Sequence, residues 1–307
     1  MNDKQKASIN FAIAAMLIAV ITGGGNPVFI KIALKEIPVF TFNFLRFFIS
    51  FILILPLFLR EKPKITKRVY GLVLLSLLPV INITLFAFGI KLTTATNGQM
   101  IHTAVPITTG IMSYFFLKEK IKLNKIIGIL VGFVGAVIVV LLPIIGSQSA
   151  FKGNLFGNLL IFMSMLSWSS YIVLSKEFHK EYSPIYLNTF FILTTIIIGF
   201  FLAISDFSAN NLWWQHLSAN AIFSLFYVSA VGTVITYIFY QYVIKHSSPI
   251  TASMAQYLQP LVTFLLAFIF LGERLTIGLI IGSALVIFGT WQVTKGSKPP
   301  SEVAIEK

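Results

Sequence analysis

At 307 residues the chain is long enough for two soluble domains, but 57% of its residues are hydrophobic, 11% are charged and the mean hydropathy is +0.88. Soluble domains carry about 25% charged residues, so this composition excludes them and describes a polytopic membrane protein. The formal net charge of +13 raises nucleic acid or acidic lipid as partners, while the complete lack of cysteine excludes a disulfide scaffold, a thiolate nucleophile and a Cys-ligated metal.

Ten stretches long and apolar enough to cross a bilayer follow in order: 9–30, 39–59, 69–90, 97–117, 125–143, 154–175, 185–205, 219–244, 250–271 and 275–293. Lys4 and Lys6 precede the first, which has no small-residue cleavage site and leads into further spans. It is expected to stay as a helix rather than be removed as a signal peptide. Connections are short, so no soluble domain is expected between spans. The polar segment 296–307, with Pro299 and Pro300, is expected to be a disordered tail.

Basic residues in short loops stay on the cytoplasmic side. With the N-terminus inside, the inner segments hold 17 of the 23 basic residues, including Arg60, Lys62, Lys64, Lys67 and Arg68 and the group Lys118, Lys120, Lys122 and Lys125. The outer segments hold five, Lys31, Lys35, Lys91, Lys152 and Arg274, and Arg46 falls within a span. Both termini are thus expected in the cytoplasm of a bacterial- or archaeal-type plasma membrane, with Trp213 and Trp214 as outer-interface anchors. The surplus charge follows the membrane rule, so no nucleic-acid partner is expected.

The chain also contains part of itself twice. Residues 106–135 recur 154 positions later without a gap, nine of 30 positions being identical, and Pro106, Glu119, Gly128 and Gly135 match Pro260, Glu273, Gly282 and Gly289. Hydrophobic bias alone does not place Pro, Glu and two Gly in one register. Each copy spans five helices, residues 1–150 and 151–295, and an odd number forces the second to enter from the opposite side. The expected fold is all-α, with ten transmembrane helices as two inverted five-helix repeats, a plan used by secondary transporters.

These residues resemble the EamA-type members of the drug/metabolite transporter superfamily over nearly the whole chain. The likeness rests on Gly25-Asn26-Pro27 with Pro38 and Arg46; on Thr94-Ala95-Thr96 leading to Pro106 and Leu117-Lys118-Glu119; on Trp168-Ser169-Ser170-Tyr171 and Lys176; and on Ser248-Pro249, Gln259-Pro260 and Leu271-Gly272-Glu273. Gly23-Gly24-Gly25 stands where many relatives carry a tryptophan. The resemblance implies a central cavity lined by spans 1, 3, 4, 6, 8 and 9, and alternating-access movement of a small metabolite, often export of amino acids or related compounds. Import or exchange of another small organic solute, such as a carboxylate, vitamin or nucleotide precursor, is the alternative it leaves.

Polar side chains inside a bilayer usually face the bundle interior or a water-filled path. On span 4, Gln99, His102, Thr103, Pro106, Gly110 and Ser113 recur at helical spacing, and the repeat maps His102 onto Gln256. On span 8, Tyr237, Tyr240 and Gln241 share a face, and the repeat pairs Phe86 with Tyr240 and Asn82 with Thr236. With Asn26, Trp168, Tyr171 and Gln259, these form the expected substrate-binding set, against interior packing or helix-to-helix hydrogen bonding. Pro106, Pro260 and Gly24 read either as hinges or as static kinks. Gly128, Gly132 and Gly135, with Gly278, Gly282 and Gly289, read as close-packing faces, within the chain or across a homodimer. Arg46 suits either an anionic cargo or hydrogen bonds to neighbouring carbonyls, and its apolar repeat partner near Phe191 favours the structural role.

No GxxxxGK[ST] loop, HExxH or GxSxG occurs and no acidic residue falls mid-membrane, so neither an enzyme nor a proton-for-cation exchanger is expected. No catalytic residue, metal or cofactor is assigned. His102 is the one embedded group that ordinarily titrates near neutrality, and either proton coupling or facilitated diffusion fits. No ring of charges suggests a channel.

Overall fold

A computed structural model of the chain describes residues 3–61, 68–92, 101–119, 121–145, 155–209, 212–271 and 277–295. The described residues are helical or in short turns. The helices are α1 (Asp3–Gly24), α2 (Asn26–Ala33), α3 (Val39–Arg60), α4 (Val69–Leu92), α5 (Val105–Leu117), α6 (Leu123–Ile145), α7 (Leu155–Phe178), α8 (Pro184–Ala209), α9 (Ala219–Ser229), α10 (Thr236–His246), α11 (Pro249–Ser253), α12 (Ala255–Leu271) and α13 (Ile277–Lys295). Six continuous runs among them are long and apolar enough to cross a membrane: Phe11–Ala33, Val39–Arg60, Val69–Leu92, Leu155–Phe178, Pro184–Asp206 and Ala219–His246. Val105–Leu117, Leu123–Gly135 and Ala284–Val293 are shorter apolar helices. Leu53, Leu74, Phe115 and Phe201 point outward, as a chain in lipid requires.

Helices α6 and α13 pack in backbone contact, and glycine is the reason. A Cβ on Gly128 would stand 2.8 Å from the Gly289 carbonyl oxygen, and one on Gly135 would stand 2.7 Å from that of Gly282. Small residues let backbones approach until dispersion and weak Cα–H contacts bind them, the usual device where no hydrophobic force separates helix from lipid. The pairing of Gly128 with Gly289 and Gly135 with Gly282 makes the two helices antiparallel. These glycines therefore meet within one chain.

The other large pairs are antiparallel too. In α3 and α8, Asp206 near the end of α8 accepts hydrogen bonds from the Thr41 amide and hydroxyl at the start of α3, at 2.8 and 3.1 Å. At the opposite end Ser183 donates to Glu61, and Arg68 pairs with Glu181. Asn82 of α4 reaches Ser164 of α7, and Gly71 lies near Phe178. Thr236 of α10 donates to Thr22 of α1 at 2.8 Å. The packing is reciprocal: α1 lies against α10 and α12, and α7 lies against α4 and α5.

Chain breaks accompany the prolines without coinciding with them. Between α1 and α2 the turn is at Gly25, directly after Gly24. A turn at Thr103 and Ala104 precedes Pro106, which sits in the first turn of α5, where its missing N–H costs no helical bond. Pro260 lies inside α12, and the break in that span comes earlier, at Met254. Lys118 closes α5 with φ 53°, a left-handed cap that glycine adopts most easily. The repeat places Gly272 at the corresponding position, outside the described residues. Just beyond that cap, burial raises the pKa of the Glu119 carboxyl, against the opposing pull of Lys125 and Lys176.

Candidate functional site

Two irregular segments meet inside the bundle. Gly25 interrupts the first span, and a single π turn at Ala230–Ile235 interrupts the span formed by α9 and α10. A Cβ on Gly232 would overlap the Asn26 side chain at 1.8 Å, so only glycine admits that residue. The Asn26 amide donates to the Gly232 carbonyl, within the π turn, at 3.0 Å. The Thr236 hydroxyl, which reaches Thr22, also lies 2.9 Å from the Val231 carbonyl. On the far side, Gly23 brings the first span against Gln259 of α12, whose amide nitrogen would lie 2.7 Å from an added Cβ.

Beside these breaks lies a cavity of about 90 Å³, open at its mouth. Its wall takes residues from α1, α2, α3, α4, α7, α10 and α12 together with His102. Both halves of the sequence contribute.

Of the expected set, Asn26, Asn82, Phe86, His102, Trp168, Tyr237, Tyr240, Gln256 and Gln259 line this cavity. The Phe86 and His102 rings meet edge to face at 5.1 Å. Trp168 stands at the hub of an aromatic group, its ring 5.6 Å from Tyr237 and 5.5 Å from Tyr240. Asn82 is committed to the scaffold, since its amide donates to both the carbonyl and the hydroxyl of Ser164, at 3.0 and 2.8 Å.

Two expected residues fall elsewhere. Gln241 is one turn beyond the wall, where its side-chain oxygen meets the His179 ring at 2.7 Å. Tyr171 packs behind Trp168 at 5.5 Å and against Phe191 at 6.2 Å. Helical spacing put both on the right face but could not give their depth. Gln99 lies outside the described residues.

The wall also holds residues that the sequence reading did not select. Gly23, Phe42, Asn43 and Thr236 line it, and so does Arg46, whose structural role had looked better supported. Asn43 carried a usable signal, since it precedes Arg46 by one helical turn on a mostly apolar helix. The Arg46 Nε donates to the Thr233 hydroxyl at 2.8 Å, and that hydroxyl donates to the Val228 carbonyl at 2.8 Å. The guanidinium also sits 5.0 Å over the Phe47 ring.

Comparison with known proteins gives a consistent result. The model of the EamA-like transporter family matches the chain twice, over residues 10–141 and 155–294. An uncharacterized transporter of Bacillus subtilis (strain 168), YetK, is 29% identical over 318 aligned positions covering 99% of this chain and 92% of that protein. A second from the same organism, YoaV, is 25% identical and covers 86% and 90%. A crystal structure with 16% sequence identity superimposes with a TM-score of 0.74, covering 92% of this chain and 96% of the other, which establishes the shared fold.

Proposed function

The chain belongs to the EamA-like transporter family of multi-pass membrane transporters, and we propose that it exports a small metabolite, an amino acid or related neutral or zwitterionic compound, by alternating access. The observation that carries this reading is the central cavity, whose polar and aromatic wall is drawn from both matched halves. Asn26, Phe86, His102, Trp168, Tyr237, Tyr240, Gln256 and Gln259 are proposed to contact the solute.

The halves are proposed to be residues 1–150 and 151–295, inserted in opposite senses as five spans each. What supports the inversion is the antiparallel packing of corresponding helices. The third matches the eighth and the sixth matches the thirteenth in the repeat, and each pair lies head to tail. Exchange of two such halves between inward- and outward-open shapes is the usual consequence. Gly24, Pro106 and Pro260 are proposed as hinge positions because each lies beside a break in its span or inside a broken one. Both termini are proposed to lie in the cytoplasm of a plasma membrane, a reading that the loop charges support.

Purified protein in liposomes, loaded with a pool of labelled amino acids, tests the reading. Saturable uptake with counterflow is expected. Ion current without saturation, or an external C-terminus in reporter fusions, would count against it.

A further inference from the structure

We propose that Arg46 and Asn43 form an anion site in the cavity wall that receives the carboxylate of the transported solute. This rests on the transport reading and narrows its substrate class. Arg46 is 3% exposed, inside a spanning helix. Among the described residues the ion pairs are Arg68–Glu181 and Lys180–Glu177, neither of which involves it. The nearby membrane-end carboxylates are engaged elsewhere, Asp206 by Thr41 and Glu36 by Ser218. Its partners are neutral: the Thr233 hydroxyl at Nε, the Phe47 ring and, alongside, the Tyr237 phenol.

Those contacts orient the guanidinium without cancelling its charge. A buried cation left uncompensated is costly, and that cost persists only where function returns it. Thr233 holds Nε, the Tyr237 phenol lies alongside, and the guanidinium forms part of the cavity wall, where its planar fork suits a carboxylate.

Asn43 supplies the second, independent observation. It stands one turn before Arg46, is 4% exposed, and neither its amide nitrogen nor its amide oxygen has a partner. Buried polar groups are almost always hydrogen-bonded, so a free amide lining a cavity marks where a ligand supplies the bond. Elsewhere on the cavity wall, the Asn26 Oδ1 and the His102 Nε2 are likewise unpartnered. The site is one-sided: Phe191, where the repeat would place a second cation, packs against Phe47 at 5.2 Å and Tyr237 at 5.3 Å. The solute then lies with its anionic end at Arg46 and its apolar body against Trp168 and Tyr240.

Four probes with one phenyl body separate the charge requirement from the body: L-phenylalanine, phenylacetate, phenethylamine and 2-phenylethanol. Their equilibrium binding to the purified full chain in detergent is expected to favour the two carboxylates at least about tenfold. Phenylalanine over phenylacetate identifies a zwitterion site, and the reverse identifies a simple carboxylate site. Arg46→Met should weaken both about ten- to a hundredfold, and Arg46→Lys less. Asn43→Leu breaks no bond within the protein, so it should weaken both carboxylates while folded yield and melting temperature hold, and it decides the matter if Arg46→Met fails to fold. Equal binding of the amine, or carboxylate binding unchanged in Asn43→Leu and in any folded Arg46 variant, would overturn the anion site. If no probe binds while the amino-acid pool still shows counterflow, the anion site falls and transport stands. If counterflow also fails, transport falls with it.

Discussion

The seam between α6 and α13 and the cavity beside the first span are both built around glycines, yet one closes to backbone contact and the other stays open. In the seam, glycines of both helices face each other, with Gly289 opposite Gly128 and Gly132. In the cavity the glycines admit side chains instead: Gly232 takes Asn26, and Gly23 takes Gln259. A glycine opposite another glycine removes space. A glycine opposite a polar side chain at a helix break positions that side chain and leaves room beside it.

The largest expected effect comes from the seam. A Cβ on Gly289 would lie 2.5 Å from the Gly132 nitrogen and 2.6 Å from the Gly128 oxygen, backbone atoms that cannot move independently. Gly289→Leu should therefore cost about 3 kcal/mol or more and abolish folded yield in size-exclusion profiles. A well-folded variant with changed cargo preference would dissolve the contrast between the two regions.

Gly232→Ala tests the cavity's own glycine. It should displace Asn26, break its bond to the Gly232 carbonyl and cost about 1–2 kcal/mol in thermal unfolding, with transport reduced as well. Loss of transport without loss of stability would make Asn26 a solute contact alone.

His102→Leu and Gln256→Leu should leave folded yield nearly intact while lowering counterflow about tenfold, because the His102 Nε2 gives up no partner within the protein. Unaffected transport would remove both from the path.

The smallest effect lies at the rim. The Ser218 amide and hydroxyl hold the Glu36 carboxylate, so its pKa in the folded chain falls below the ordinary 4.5. A depressed carboxyl pKa adds stability that is present above pH 4.5 and is lost as pH falls through the folded value. Melting temperatures of the wild type and Glu36→Gln should differ near neutral pH and converge in acid; a constant difference would remove the link.

Much of this was legible because membrane sequence is constrained twice, by hydrophobic length and by polar expense. His102 and Gln256 were found at symmetry-related positions, and both line the cavity. Gln241 was misplaced because shared helical face is a rotation and says nothing of depth; the end of α7 meets it there through His179. Arg46 looked structural because its repeat partner is apolar. Symmetry identifies what the halves share and says nothing of a residue that one half carries alone.

By itself the sequence determined a duplicated, helical, lipid-embedded chain, since periodicity, hydrophobic length and register survive without coordinates. Only the tertiary structure decided which glycines seal and which make room, and that a buried arginine and a free asparagine share one wall. Those depend on what lies across a contact, and a linear pattern does not carry that.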